Sequence, residues 1–262
     1  MKKIVLGFFS AAVLAILSGC CTGKSAAIPE ALVVKAAPGE IVFDGRLDEK
    51  FWQQAPAHTL AVCDRYADLP PLELNRIRQD KLEKCTVKFA CDDKYFYAAA
   101  NVEDNDMVAV TLPQAPAVIN GDRLVVYLVP EKALHCWELA SGPNAVKSAF
   151  FYQINGLYLN LKDKEKYGQF PGFDAMFKVD GTLNKQNDRD KGWTSEIRIP
   201  LAEIARHGVD FSAGEKWRIA VYRTNYSAYN YAVQTSTFPQ LPTLNMEFKK
   251  FFAPVVFCSA DK

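Results

Sequence analysis

Two stretches of the chain set aromatic rings beside small and polar side chains, with no clean strand alternation. One runs Asn225-Tyr226-Ser227-Ala228-Tyr229-Asn230-Tyr231 through to Phe238. The other is Tyr167-Gly168-Gln169-Phe170-Pro171-Gly172-Phe173-Asp174. A pyranose ring has an apolar face of C–H groups and an edge of hydroxyls. Aromatic rings give the first a flat apolar partner. Asp, Asn, Gln and Arg satisfy the second in a few fixed directions. Such residues belong on loops held by a rigid scaffold. Tyr226, Tyr229, Phe238, Tyr167 and Phe170 are therefore candidate sugar contacts. Trp137 is a further candidate, since Cys136 and Glu138 beside it alternate to the opposite face. The competing role for each ring is to cover a sheet edge or fill the core. Trp52, Trp193 and Trp217 lie inside strand or helix patterns and are expected in the core.

Acidic turns come next. Glu103-Asp104-Asn105-Asp106 puts several oxygens in one turn, which suits a hard cation such as calcium. Glu103, Asp104 and Asp106 are the candidate ligands. Asp188 and Asp190 before Gly192 form a second short acidic turn. Neither has the full spacing of a helix-loop-helix calcium site, and a solvated turn is the simpler use of each. Catalytic signals are weak. His58, His135 and His207 have no partner at metalloprotease spacing, and no Gly-x-Ser-x-Gly occurs. Glu196 alternates away from Ile197 and Ile199, and an ion pair with an arginine such as Arg223 would account for it. Carboxylates for glycoside hydrolysis need only meet in space, so sequence leaves that open. No catalytic domain is visible, and the chain is expected to be a non-enzyme. Gly23-Lys24-Ser25 lacks the earlier glycine of a phosphate loop, because that position is Ser18.

The N-terminus determines where these residues work. Met1-Lys2-Lys3 precedes an apolar run from Ile4 to Ile16, then Leu17-Ser18-Gly19-Cys20. The run fits a signal h-region of roughly 7–15 residues and is short of the roughly 20 a spanning helix needs. The ending looks like a bacterial lipobox. Residues 1–19 are expected to be a signal peptide, Cys20 the lipidated residue, and 20–37 a tether that includes small polar residues. Several acyl chains on one cysteine give stable anchoring to a lipid bilayer. The expected location is the cell envelope, at the outer membrane in a Gram-negative host.

The formal charge of the 262-residue chain is +1, which argues against nucleic acid as a partner. At 49% hydrophobic and 12% aromatic it can bury a sizeable core. Cys21, Cys63, Cys85, Cys91, Cys136 and Cys258 remain beside Cys20. In an oxidising compartment they form disulfides or stay as buried thiols, and the sequence does not choose.

Strands must position all of this. Cys85–Cys91 and Tyr95–Val102 flank Asp92-Asp93-Lys94 as a hairpin. Leu124–Val129 is a buried-type strand stopped by Pro130. Ala149–Ile154 and Leu157–Leu161 flank Asn155-Gly156, a two-residue turn. Trp193–Ile199, Lys216–Arg223 and Phe251–Phe257 complete the set. Asp48 is placed to cap a turn through Trp52. Pro200–His207, followed by Gly208, reads as a brief helix. The expected fold is an all-β antiparallel sandwich with one or two short helices, as one domain over residues 38–258.

A colinear set of motifs carries a resemblance. Asp44-Gly45-Arg46-Leu47-Asp48-Glu49-Lys50-Phe51-Trp52 resembles the opening motif of family 9 carbohydrate-binding modules. The hairpin with Asp92-Asp93 and Tyr95-Phe96-Tyr97, ending Val102-Glu103-Asp104, resembles the next segment. Asn120-Gly121-Asp122, Cys136-Trp137-Glu138 and Pro143-Asn144 follow. Asp180-Gly181-Thr182-Leu183-Asn184, Asp188 to Trp193, Glu196, Ile199-Pro200, Trp217-Arg218-Ile219 and Tyr222-Arg223 come in order. The resemblance covers about residues 38–257. It implies a DOMON-like sandwich that binds poly- or oligosaccharide, often found beside glycoside hydrolases and in some members holding structural calcium. It also implies three departures: Val125 where a glutamate is usual, Phe238 in a Ser-x-Trp-x-Pro-like element, and Glu247 in place of a histidine. The implied function is a membrane-anchored carbohydrate-binding lipoprotein linked to polysaccharide catabolism. A structural or assembly lipoprotein that kept the sandwich and lost the sugar site is the alternative. Haem binding, known in some relatives, would need an axial Met, His or Lys, with Met107, Met176 and Met246 available by type.

Overall fold

A computed structural model describes residues 27–63, 82–112, 115–133, 135–153, 172–228, 233–242 and 246–259. The expected signal peptide, Cys20 and Cys21 lie outside them, as do Tyr167, Phe170, Tyr229 and the Asn155-Gly156 turn.

The described chain is all-β with two short α-helices. The strands run β1 (Ala31–Lys35), β2 (His58–Thr59), β3 (Ala61–Val62), β4 (Cys85–Cys91), β5 (Tyr95–Glu103), β6 (Ala109–Leu112), β7 (Ala115–Gly121) and β8 (Arg123–Pro130). They continue as β9 (His135–Ser141), β10 (Lys147–Gln153), β11 (Asp174–Asp180), β12 (Gly192–Pro200), β13 (Trp217–Asn225), β14 (Gln234–Phe238) and β15 (Ala253–Ser259). The helices are α1 (Lys50–Gln54) and α2 (Leu201–Ala205), with a 3-10 turn at Met246–Phe251.

The expected all-β class with few helices is present, and the strand pairing differs from a wholly antiparallel arrangement in two respects. Thirteen strands form one continuous sheet, in the order β10-β9-β8-β13-β15-β1-β4-β5-β12-β11 with β14, β3 and β2 beside this path. It is mixed, because β1 runs parallel to both β15 and β4. The pattern within each strand could not show this. Hydrophobic alternation sets which face is buried and says nothing of the neighbour's direction. The sheet curls until it nearly closes. Lys147, which opens β10, pairs with Asp174, which opens β11, so the two ends of the path meet. Inside, Ser141 of β9 and Ser195 of β12 share a buried hydroxyl hydrogen bond of 2.7 Å.

The enclosed core draws on both halves: Val87, Phe89, Phe96 and Ile197 from one, Leu124, Leu128, Trp137 and Trp217 from the other. The expected hairpin is present. Asp92 Oδ1 accepts from the backbone N–H of Lys94 and Tyr95, both at 2.7 Å, and turns the chain from β4 to β5. α2 matches the expected brief helix, and Gly208 beyond it has φ +81°. Asp48 does not cap α1; the residue before that helix is Glu49, with no side-chain cap.

A second, smaller core lies outside the sheet. The segment through α1 folds over β4 and β5, packing Phe51 and Trp52 on Ala90, Tyr97 and Ala99. Glu196 fixes it there. Its Oε2 accepts from Asp44 N–H at 3.0 Å and Gly45 N–H at 2.8 Å, and its Oε1 from the Trp52 indole at 2.8 Å. This explains the Asp-Gly…Trp spacing physically. Gly45 has φ +80°, and a Cβ there would lie 2.6 Å from Phe177 N. Glu196 is therefore not the ion-pair partner of Arg223. Burial, eased by those three donors, still raises its carboxyl to about 7.

Candidate saccharide-binding face

The register of β8, β9 and β13 builds one outward face. Val125 lies opposite Ala140 and Tyr222, and Tyr127 opposite Glu138 and Ala220. Side chains two apart share a face, so Arg123, Val125 and Tyr127 stand beside Tyr222, Thr224 and Glu138. Arg123 lies over the Tyr222 ring at 5.7 Å, and its Nε donates to Thr224 Oγ1 at 3.2 Å. Val125 packs with Ala140 and Val146 against the half-buried Tyr127 and Tyr222. The glutamate position of the resemblance is thus apolar in its surroundings as well as its identity. Burial and the Glu138 charge hold the Tyr127 phenol well above its usual range, so it stays protonated and can donate.

At the end of this face the chain leaves β13 through Tyr226, which is 37% exposed. Two buried carboxylates fix the loop. Asp122 Oδ1 accepts from Tyr226 N–H at 2.7 Å. Asp106 Oδ2 accepts from Ala228 N–H at 2.6 Å and from the Ser227 hydroxyl at 3.1 Å. Asp122 Oδ2 also takes Val108 N–H at 2.6 Å, which ties the loop to the residue just before β6. Tyr226 is therefore an exposed ring on a held backbone, which is what stacking on a sugar requires.

Beneath the loop is a polar network. Arg223, 1% exposed, donates to Glu83 O at 3.0 Å and Glu103 O at 2.7 Å. Its guanidinium also faces Asp104 Oδ2 at 3.4 Å and Glu83 Oε2 at 3.6 Å. Glu83 Oε2 accepts from Asn225 Nδ2 at 2.6 Å. Burial raises Asp122 to about 8, with the neighbouring Asp104 charge adding to it. Burial also raises Asp104 to about 6, against the pull of Arg223. The titrations of the two carboxyls are therefore linked, the charge on Asp104 helping to hold the proton on Asp122.

That pair gives a pH prediction. An acid whose folded-state pKa is raised favours folding while it keeps its proton, and the benefit is lost as pH rises through the folded value. The unfolding free energy should therefore fall between pH 7 and pH 8.5. Glu196, raised to about 7, adds to the fall at the lower end of that window. Urea melts across that window should show the fall, and Asp122→Asn should flatten it. An unchanged slope in the variant would place the titration elsewhere.

The sequence candidates divide. Tyr226 is exposed. Trp137 is 0% exposed, in contact with Phe151, His207 and Trp217, so its face is closed to any ligand. Phe238 is 5% exposed, its ring 4.4 Å from His58 and 6.4 Å from Phe89, and it too belongs to the core. Alternation could not assign them, because an aromatic ring fits the core and a sugar-binding surface equally well. Trp52, Trp193 and Trp217 are buried as expected. The acidic turn does not gather: Glu103 points outward, taking Lys84 N–H at 3.3 Å, while Asp104 and Asp106 turn in to Arg223 and to the Tyr226 loop. Among the described residues no three His, Cys, Asp or Glu side chains are grouped to hold a metal ion. Asp188 accepts from the Thr182 hydroxyl, and Asp190 from Met107 and Thr182 N–H, so both brace the neighbouring turn. All five described cysteines are thiols. Sequence reasoning missed Asp122 and Glu83 as supports; the Gly121-Asp122 motif was the one available signal.

No protein-family model and no curated protein matches the sequence. Solved structures do match. A family 9 module from Caldicellulosiruptor kristjanssonii in complex with cellotriose aligns over 88% of this chain and 94% of its own, at 15% identity and TM-score 0.52. The structure described as the same organism's family 9 module with glucose gives 13% identity, TM-score 0.53 and coverage of 88% and 96%. A protein from Bacteroides uniformis ATCC 8492 named for carbohydrate binding gives 10% identity, TM-score 0.55 and coverage of 88% and 99%. Alignment over 88% of this chain and 94% and 96% of the two modules means that the chain has the fold of family 9 carbohydrate-binding modules.

Proposed function

We propose that this protein binds poly- or oligosaccharide, without catalysis, through the outward face of β8, β9 and β13 and the Tyr226 loop. The observation that carries the reading is an exposed tyrosine whose backbone is fixed by Asp122 and Asp106, beside Tyr222, Tyr127 and Arg123. The cellotriose and glucose complexes of fold neighbours support a saccharide as the partner class. We further read the curled sheet as the two facing layers of a sandwich. The lipobox-like ending supports a location at the cell envelope, with an anchor at Cys20 and a role in capturing glycans for catabolism. One observation favours the alternative of a structural lipoprotein: Val125 and Phe238, two positions that depart from the family pattern, are both buried.

Titration calorimetry of the purified protein against cello-oligosaccharides and a glycan array, with calcium and with chelator, tests this. Saturable binding is expected, with Tyr226→Ala weakening it about tenfold, a loss of about 1.4 kcal/mol. Folded protein that binds no glycan would favour the structural reading.

A further inference from the structure

A guanidinium without a hydrogen-bond acceptor lies on the opposite outer face. Arg198 of β12 has its Cζ 4.0 Å from the centre of the Phe43 ring and 4.9 Å from that of Tyr95. Both distances are within cation–π range. The two rings lie against the guanidinium and hold the side chain in place, leaving its N–H edge as the polar outlet of a side chain 29% exposed. That edge is unsatisfied. Nε is buried with no hydrogen-bond partner. Nη2 lies 3.6 Å from Asp174 Oδ2, beyond hydrogen-bonding range. Asp174 is meanwhile engaged by Lys147 and by Ala175 N–H at 3.0 Å, so its charge is shared. The other carboxylate of this corner, Asp92, is taken by Tyr97 Oη–H at 2.8 Å and by its own turn.

The surroundings are apolar and open. Val42, next to Phe43, is 55% exposed, and Met176, two residues along β11 from Asp174 on the same face, is 38% exposed. A fixed guanidinium edge takes a planar carboxylate by paired N–H···O bonds. Exposed apolar side chains beside it take the C–H face of the ring that bears the carboxylate. We infer that Arg198, Phe43, Tyr95, Val42 and Met176 form a second binding site, specific for a carboxylate-bearing sugar of the uronic acid class. Gly192, at the end of β12 nearest the Tyr226 loop, is six residues from Arg198, about 20 Å along the strand. The site is therefore separate from the face already described, and it stands or falls independently of it.

The test uses purified protein and three probes: an oligogalacturonide, the same oligomer with its carboxylates methyl-esterified, and a neutral cello-oligosaccharide. The free-acid oligomer should bind, and esterification should weaken it about tenfold or more, the loss expected when hydrogen bonds to a charged group go. Arg198→Gln should weaken free-acid binding by the same factor and leave the neutral probe unchanged. Arg198→Lys keeps the charge and the stem but loses the fork. It should remain folded and still bind the free acid at least several-fold more weakly. Tyr226→Ala should leave free-acid binding intact. Equal affinity for free and esterified oligomers, no free-acid binding, or full affinity in folded Arg198→Lys and Arg198→Gln would each overturn the inference. Loss of neutral binding alone would count against the Tyr226 face and not against this site.

Discussion

Replacing Arg223 with methionine is expected to cost about 3–5 kcal/mol of stability, the usual penalty for removing one partner of a buried ion pair. For a domain of this size that corresponds to a fall of roughly 6–20 °C in Tm. The cost has three sources. Glu83 O and Glu103 O lose their donors, the Asp104 carboxyl loses its cation, and the linked Asp122 carboxyl loses the pull of the same charge. Methionine fills much of the volume, so the loss reports the guanidinium more than a cavity. Arg223→Lys should recover little, because a point charge cannot reach two separate carbonyls in a fork. Adding Asp104→Asn to Arg223→Met should restore part of the loss, because the orphaned charge is then gone. Chemical denaturation of these variants and of Asp104→Asn alone measures this. Strict additivity of the two changes would mean that the residues do not share a network.

Trp137→Ala is expected to cost about 3–5 kcal/mol as well, for a different reason. The side chain is fully buried, with ring centroids 5.0 Å from Phe151 and 5.6 Å from Trp217. Alanine leaves a cavity that the curled sheet cannot collapse to fill, because β9 is hydrogen-bonded along both edges. Tyr226→Ala is the counterpart. It removes an exposed ring and should change stability by less than about 0.5 kcal/mol. The two variants thus separate core from surface among residues that looked alike in sequence. Thermal melts of both check this, and a Trp137→Ala protein as stable as the parent would mean that its burial contributes little.

Much of this was legible before any coordinates. The β4–β5 hairpin announced itself through alternation on both sides of Asp92-Asp93-Lys94, and α2 through Pro200 and Gly208. The three tryptophans assigned to the core are there. What could not be read was everything that depends on neighbours distant in sequence. Glu196 looked like half of a surface ion pair, yet its partners are Asp44, Gly45 and Trp52, some 150 residues earlier. The Glu103–Asp106 turn looked like one cluster, yet alternation sends Glu103 outward and Asp104 inward to Arg223. Trp137 and Phe238 looked available because aromatic residues serve cores and sugar faces equally well.

Local patterning, then, determined that this chain is built of strands and where several of them turn. Such features depend on backbone geometry and solvent exposure over a few residues. Tertiary structure alone decided that the sheet is mixed and curls until Lys147 meets Asp174. It likewise buried Asp104 and Asp122 together, and set Arg198 against Phe43 and Tyr95. Strand order, strand direction and the burial of a charge are properties of which segments pack together, and no local alternation encodes that choice.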